Sequence, residues 1–243
     1  MPVTEEAATM LHVFAPLRIR ERLVIGQLGQ SLDGRIATAS GHSHYINGPE
    51  DIRRLHHLRA LVQAVVVGAG TVASDDPRLT VRHVRGPHPI RVVLDPRGRL
   101  DPGRRVFTDE AAPTLWIQAE RRAHSGIGRP EGNRAKAGRG VEILGLPLDG
   151  GRFPPEAILE ALRARGIRRI LVEGGGLTVS AFLAAGALDR LHVSVAPLLI
   201  GSGRPSLTLP RIETLDDALR FPVRHFSLGD DLLFDLDLAP SGG

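Results

Sequence analysis

Glu173 is followed by Gly174, Gly175 and Gly176, and it directly follows Arg169-Ile170-Leu171-Val172, a run of strand-forming side chains. An acid at the carboxyl end of a buried strand points into the crevice where open α/β sheets bind ligands. Glycines there let a ligand approach the main chain, and the free N–H groups of a following helix attract phosphate. A second run, Gly68-Ala69-Gly70-Thr71-Val72-Ala73, fits the loose dinucleotide pattern Gly-x-Gly-x-x-Gly/Ala. Asp75-Asp76-Pro77 interrupts it within a turn, so a Rossmann crossover helix is excluded and a ligand-contacting loop is expected. In residues 74–82 the paired acids before a proline predict a rigid turn, and Arg82 has the fork to clamp an anion. A third polar, glycine-bearing loop, residues 27–35, leads to His42, Ser43, His44 and Tyr45. His42, His44, His56 and His57 lack the carboxylate spacing of a metal centre; they read as solvated or capping side chains, and no metal is expected.

Composition removes several alternatives. The 243 residues include no cysteine, which excludes a disulfide framework, a thiol nucleophile, a thiolate zinc site and a cysteine-ligated cluster. Lys136 is the only lysine, and it sits in a glycine- and arginine-rich stretch, so Schiff-base chemistry would have to use a loop residue. Aromatic content of 4% is too sparse for a stacking platform on single-stranded nucleic acid. Residues 119–140 hold Arg121, Arg122, Arg129, Arg134, Lys136 and Arg139 against Glu120 and Glu131, so this segment alone accounts for the net +4. It reads as a flexible basic insertion, and no nucleic-acid partner is expected. No apolar run is long enough for a membrane span and the amino terminus is acidic, so a cytoplasmic protein without a membrane partner is the expectation.

These groups need a scaffold, and the pattern supplies one. Short runs rich in Val, Ile and Leu without strict alternation, at 23–28, 64–67, 90–94, 114–117, 141–144, 169–173 and 190–195, predict buried parallel strands. A helix should open at Asn47-Gly48-Pro49, with Ile52, Leu55, Leu58 and Leu61 on one apolar face. Further helices are expected over 155–165, with Ile158, Leu159 and Leu162 inward and Gly166 as the stop, and over 177–185. Residues 222–228 and 232–238 flank Gly229-Asp230-Asp231 and predict an antiparallel hairpin. The whole reads as one domain over 21–238, with a ragged extension at 1–20 and a tail at 239–243. Its class is α/β: a mostly parallel central sheet with flanking helices and an antiparallel edge.

Taken together these segments resemble one family. Ser31-Leu32-Asp33-Gly34-Arg35, Ser43-x-Tyr45-Ile46, Gly70-Thr71-Val72-x-x-Asp75-Asp76-Pro77-x-Leu79-Thr80-Val81-Arg82, Pro89-Ile90-Arg91-Val92-Val93-Leu94-Asp95, Glu173-Gly174-Gly175, Leu188-Asp189-x-Leu191 and Ala196-Pro197-x-Leu199-x-Gly201 occur in order. The set is similar to the reductase half of bacterial riboflavin-biosynthesis deaminase/reductases over residues 22–238. The resemblance implies a dihydrofolate-reductase-like fold, NADPH as hydride donor, a homodimer, and reduction of the ribosyl group of 5-amino-6-(5-phosphoribosylamino)uracil, a phosphorylated aminopyrimidine, to ribityl.

It also implies roles. Ser43, Arg59, Leu79, Arg82 and Glu173 match substrate-contacting positions, with Arg59 and Arg82 as clamps on the 5′-phosphate and Glu173 accepting hydrogen bonds. Gly29, Tyr45, Thr71, Asp75, Gly174, Gly175, Gly176, Leu177, Thr178, Val179, Ser180 and Ala181 match cofactor-contacting positions. Asp75 is the candidate for relaying a proton, which makes Asp75 and Glu173 the catalytic pair. Two positions depart from the family. Gln27 stands where a lysine is usual, and Tyr45 where tryptophan is common. Gln27 therefore leaves open a reductase of the same fold with another pterin- or pyrimidine-like substrate, or a nucleotide-binding module without turnover. The zinc deaminase half, which needs a Pro-Cys-x-x-Cys segment, has no counterpart in a chain without cysteine.

Overall fold

The computed structural model describes residues 5–43, 46–121 and 140–238. His44, Tyr45 and residues 122–139 of the basic segment lie outside the described residues. The chain runs α1 (Glu5–Ile19), β1 (Leu23–Ser31), β2 (Arg35–Ala37), α2 (Pro49–Leu61), β3 (Ala64–Gly68), α3 (Ala69–Asp75), β4 (Ile90–Asp95), α4 (Arg105–Thr108), β5 (Thr114–Ala119) and β6 (Val141–Leu146). It continues with α5 (Pro155–Arg163), β7 (Arg169–Val172), α6 (Gly176–Ala184), β8 (Arg190–Ala196), β9 (Arg204–Pro205), β10 (Val223–Leu228) and β11 (Asp231–Asp237).

Nine strands form one sheet in the order β10-β11-β8-β1-β7-β3-β4-β5-β6. From β8 to β6 every neighbouring pair is parallel, and β11 and β10 add the antiparallel edge. The predicted fold class therefore holds. The apolar runs lack alternation because both faces are covered. On β3, Ala64 and Val66 join one core with Ile158, Leu162, Val179 and Phe182, while Val65 and Val67 join another with Leu17, Leu58, Val72 and Phe107. Helices α5 and α6 thus cover one face, and α1 to α4 the other.

Two expectations are corrected. The residues expected as a ragged extension form α1, and Val13 and Leu17 are 2% and 0% exposed. The three-residue repeat in α2 marks only part of its buried face: Leu58 is buried and Leu55 and Leu61 pack against the core. Ile52 is 37% exposed, and the residues turned inward are Asp51, Arg54, His56, Leu58 and Arg59. The cause lies beneath the helix, where the strands present Gln27, Glu173 and His192, all buried. A helix over polar groups must bring polar partners of its own. Among the described residues no helix is long and apolar enough to cross a membrane.

Buried arginine also braces the far half of the sheet. Arg91 of β4 is 1% exposed; its Nε donates to Thr114 Oγ1 (2.9 Å), Nη1 to Asp109 Oδ1 (2.6 Å) and Nη2 to the Ala112 carbonyl (2.6 Å). Arg91→Met strands these acceptors and is expected to cost about 3 kcal/mol in urea unfolding; a loss under about 1 kcal/mol contradicts this role. Burial also disfavours protonation of histidine. It is the leading cause that holds His56, His57 and His192 below the ordinary 6.5, and nearby arginine charges add to it. The unfolded chain takes up protons below that value which the folded chain refuses, so stability is flat above it and falls beneath it. The decline is expected at about 1.4 kcal/mol per pH unit for each fully buried histidine. Urea midpoints at pH 7.5, 6.0 and 5.0 check it, and an unchanged midpoint refutes it.

Candidate active site

β7 is inserted between β1 and β3, and at its border with β3 the connections part. The chain leaves β3 through α3 on one face and β7 through α6 on the other. Loops that diverge in this way open a crevice at the carboxyl ends of the strands. The two glycine runs sit at this point, and they clasp each other. Gly175 N–H donates to Thr71 Oγ1 at 2.7 Å, and a Cβ on Gly174 would stand 2.7 Å from the same oxygen. In return, a Cβ on Gly68 would stand 2.6 Å from Thr178 Oγ1. Gly174 also has φ +90°, and Gly176 passes within 2.1 Å, measured from an added Cβ, of the Ser206 carbonyl. Internal contacts thus explain three of these glycines, while Gly70 faces open space.

On the α2 side, Glu173 is 5% exposed and takes both arms of Arg59, Nε to Oε1 at 2.8 Å and Nη2 to Oε2 at 2.7 Å. Arg59 Nη1 reaches the Thr80 carbonyl at 3.4 Å. The fork expected on a phosphate is therefore spent on Glu173. Arg82 is exposed, and its Nη1 bonds Thr80 Oγ1 at 3.2 Å. Desolvation and the charges of Arg59 and Arg78 pull its pKa down, while Glu173 opposes them. His56 Nδ1 accepts from Arg82 N at 3.1 Å, so the ring is neutral there. Its pKa is pushed down to about 3, first by burial and then by Arg59, Arg82 and His83. His83 meets the His56 ring edge-on at 4.6 Å. The result is a cationic rim, Arg78 and Arg82, around a buried carboxylate.

The loop that carries this rim is strained. Asp76 and Leu79 have φ of +40° and +56°, a region that costs a branched side chain energy. Asp76 closes α3 through its N–H to the Val72 carbonyl and holds Arg105 N at 2.8 Å. Leu79 is 2% exposed with its side chain in the core, so the position expected to contact substrate is buried. Asp75 ends α3 exposed, and Ser43 is half-buried in the loop after β2. A Cβ on Gly29 would overlap Asn47 Oδ1, because the Asn47 amide crosses β1 to reach Ser194 Oγ at 3.1 Å. At α6, Leu177 is 63% exposed at the open helix start, whereas Val179 and Ser180 are buried and Ser180 Oγ accepts from Thr208 N. Ala181 is half-buried one turn further on.

Sequence reasoning missed His56, which is 2% exposed where a solvated or capping role was expected, and it missed Arg54 and Thr80. The inward positions of α2 are i, i+3 and i+5 from Asp51, and a polar set at that spacing is the signal that a count of leucines hides.

With this geometry in view, the comparisons with known proteins agree. The family model for the RibD C-terminal domain matches residues 22–233. A Methanothermobacter thermautotrophicus protein, named 2,5-diamino-6-ribosylamino-4(3H)-pyrimidinone 5′-phosphate reductase, is 37% identical over 219 residues, which cover 87% of this chain and 96% of that one. The RibD protein of Aquifex aeolicus is 33% identical over 234 residues, 94% of this chain and 62% of that one. The crystal structure of a deaminase/reductase of this pathway from Thermotoga maritima superposes with a TM-score of 0.72 at 28% identity, over 96% of this chain and 61% of that one. The chain thus spans about three fifths of those longer relatives. It belongs to the RibD C-terminal domain family, with the dihydrofolate-reductase-like fold of the reductases of riboflavin biosynthesis.

Proposed function

We propose that this chain reduces the ribosyl group of a phosphorylated aminopyrimidine to a ribityl group, with NADPH as hydride donor. The observation that carries the reading is the buried Glu173–Arg59 pair beside the cationic rim of Arg78 and Arg82. Each Glu173 oxygen keeps a lone pair after accepting from Arg59, enough to receive sugar hydroxyls. Arg82, and Arg78 beside it, take the 5′-phosphate in place of Arg59, whose arms are occupied. Ser43, half-buried in the loop after β2, completes the substrate side.

The start of α6, with Thr71 and Gly70 across from it, suits a dinucleotide phosphate: the N–H groups of Gly176 and Leu177 lie in the first turn of the helix, Leu177 is exposed, and Gly70 faces open space. Gly29, on β1, would stand on the cofactor side. When bound there, NADPH supplies the hydride, and the reduction also consumes one proton. Asp75, solvent-exposed on the rim, relays that proton through water. The protein's share is to hold sugar and donor together and to exclude bulk water. A cytoplasmic location, where NADPH is abundant, fits this role.

The Methanothermobacter relative is named for the diamino substrate, and the family resemblance implies the deaminated uracil. Both are to be assayed by loss of reduced-nicotinamide absorbance. Turnover of either is expected, turnover only with other pterins or pyrimidines moves the assignment to the reading that Gln27 favours, and NADPH binding without turnover on any of them refutes catalysis. Arg82→Ala is expected to raise substrate KM about 10- to 100-fold with little change in stability. Asp75→Asn is expected to lower kcat about 100-fold with KM unchanged; equal kcat removes Asp75 from the mechanism.

We also propose a homodimer. Ile212, Leu215, Leu219 and Val223 are 46%, 77%, 59% and 53% exposed on one arm that leads into the edge strand β10. Apolar side chains concentrated on an unpaired edge mark an interface. Sedimentation is expected to give a dimer, and Leu215→Glu with Leu219→Glu a monomer. A monomeric unaltered chain overturns the proposal.

A further inference from the structure

Gln27 and Glu173 are neighbours. Gly26 pairs with Val172, so the next residues of β1 and β7 stand side by side, and both bond to α2. Arg54 Nη2 lies 2.6 Å from Gln27 Oε1. A guanidinium only donates, so the amide atom facing it must be the oxygen. Among the described residues no hydrogen bond uses the amide nitrogen at the other end of Gln27.

Arg54 is itself immobilised. It is 4% exposed; its Nε donates to Asp51 Oδ1 at 2.8 Å and its Nη1 to His192 Nδ1 at 3.2 Å. Because Nδ1 accepts, the imidazole proton sits on Nε2, which faces Asp235 Oδ1 at 3.3 Å. Asp235 is in turn held by both arms of Arg190. The Asp51 carboxylate and the neutral His192 ring thus hold one guanidinium, and that guanidinium holds one amide.

We propose that Arg54 is a positioning residue. By occupying Gln27 Oε1 it presents the amide NH2 beside Glu173, so this wall of the site offers hydrogen-bond donors and selects a heterocycle that presents a carbonyl oxygen or an unprotonated ring nitrogen. The proposal rests on the reductase reading and names the specificity element of that same site. It also accounts for the residue at position 27. A lysine there would set an ammonium against a buried arginine, whereas an amide meets that arginine with an acceptor and still donates on its other side.

The test uses the full chain and whichever phosphorylated aminopyrimidine it reduces. Gln27→Glu keeps an acceptor for Arg54 and removes the donor. It is expected to fold with an unlowered Tm, to bind NADPH with unchanged Kd, and to raise substrate KM about 10- to 100-fold. Arg54→Lys, which keeps the charge beside Asp51 and loses the fork, is expected to raise KM in the native background and to add nothing in a Gln27→Met background. An unchanged KM in Gln27→Glu overturns the assignment, as do independent, additive losses in the double variant. Failure of the underlying reading looks different: the unaltered chain then consumes no NADPH with any such substrate.

Discussion

The pairing of Arg59 with Glu173 is the constraint on which the rest of the site depends. It joins α2 to the end of β7, 114 residues apart in sequence, at the border where the connections leave on opposite faces. Burying a full ion pair costs several kcal/mol of desolvation, which a bidentate geometry only offsets. The pair is therefore poorly explained as a stabiliser and well explained as a specifier. It fixes the carboxylate in one place, and through the third arm on the Thr80 carbonyl it fixes the strained loop beside it. The cationic rim then has a defined position relative to Glu173, although Arg82 itself is exposed.

The two faces of the sheet divide the work. The α5 and α6 face is apolar along its length, from Ala64 and Ile170 to Leu94 and Ile117. The opposite face is apolar at Leu23, Ile25 and Leu171 and becomes polar toward the carboxyl ends, at Gln27, Glu173 and His192. One helix, α2, spans that change, which is why it carries Leu58 between His56 and Arg59, all three buried. The site is thus a polar end to an otherwise dry core. Its groups hold each other because water is excluded and unpaired partners would be costly.

Much of the scaffold was legible. A strand buried on both faces must be apolar at every position, so Val65, Val66 and Val67 announce a parallel strand without help from neighbours. Glu173, Arg82 and the glycine runs were legible because strand ends and backbone-permissive residues have few other uses. What the glycines contact was not. Gly174 and Gly176 answer to Thr71 and to the Ser206 carbonyl, which are 103 and 30 residues away. Nor was the inward face of α2 readable, since Asp51 and Arg54 resemble solvated charges until Gln27 and His192 are placed beneath them. The missing information in each case is tertiary. A charge announces its burial only through its partner, and the partners lie on other strands.

The near absence of lysine follows a related logic. Among the described residues the buried arginines are Arg54, Arg59, Arg91 and Arg190, and each serves several acceptors at once in a planar fan. A lysine is one strongly hydrated point charge and could not bridge Asp51, Gln27 and His192 from a single helix position. At position 27, where the family resemblance implies a lysine, this chain has a neutral amide, and the positive charge at this wall of the site is that of Arg54 on α2, 2.6 Å from Gln27 Oε1. The amide stands between that charge and Glu173's side of the crevice, so the wall keeps a cation without presenting it directly.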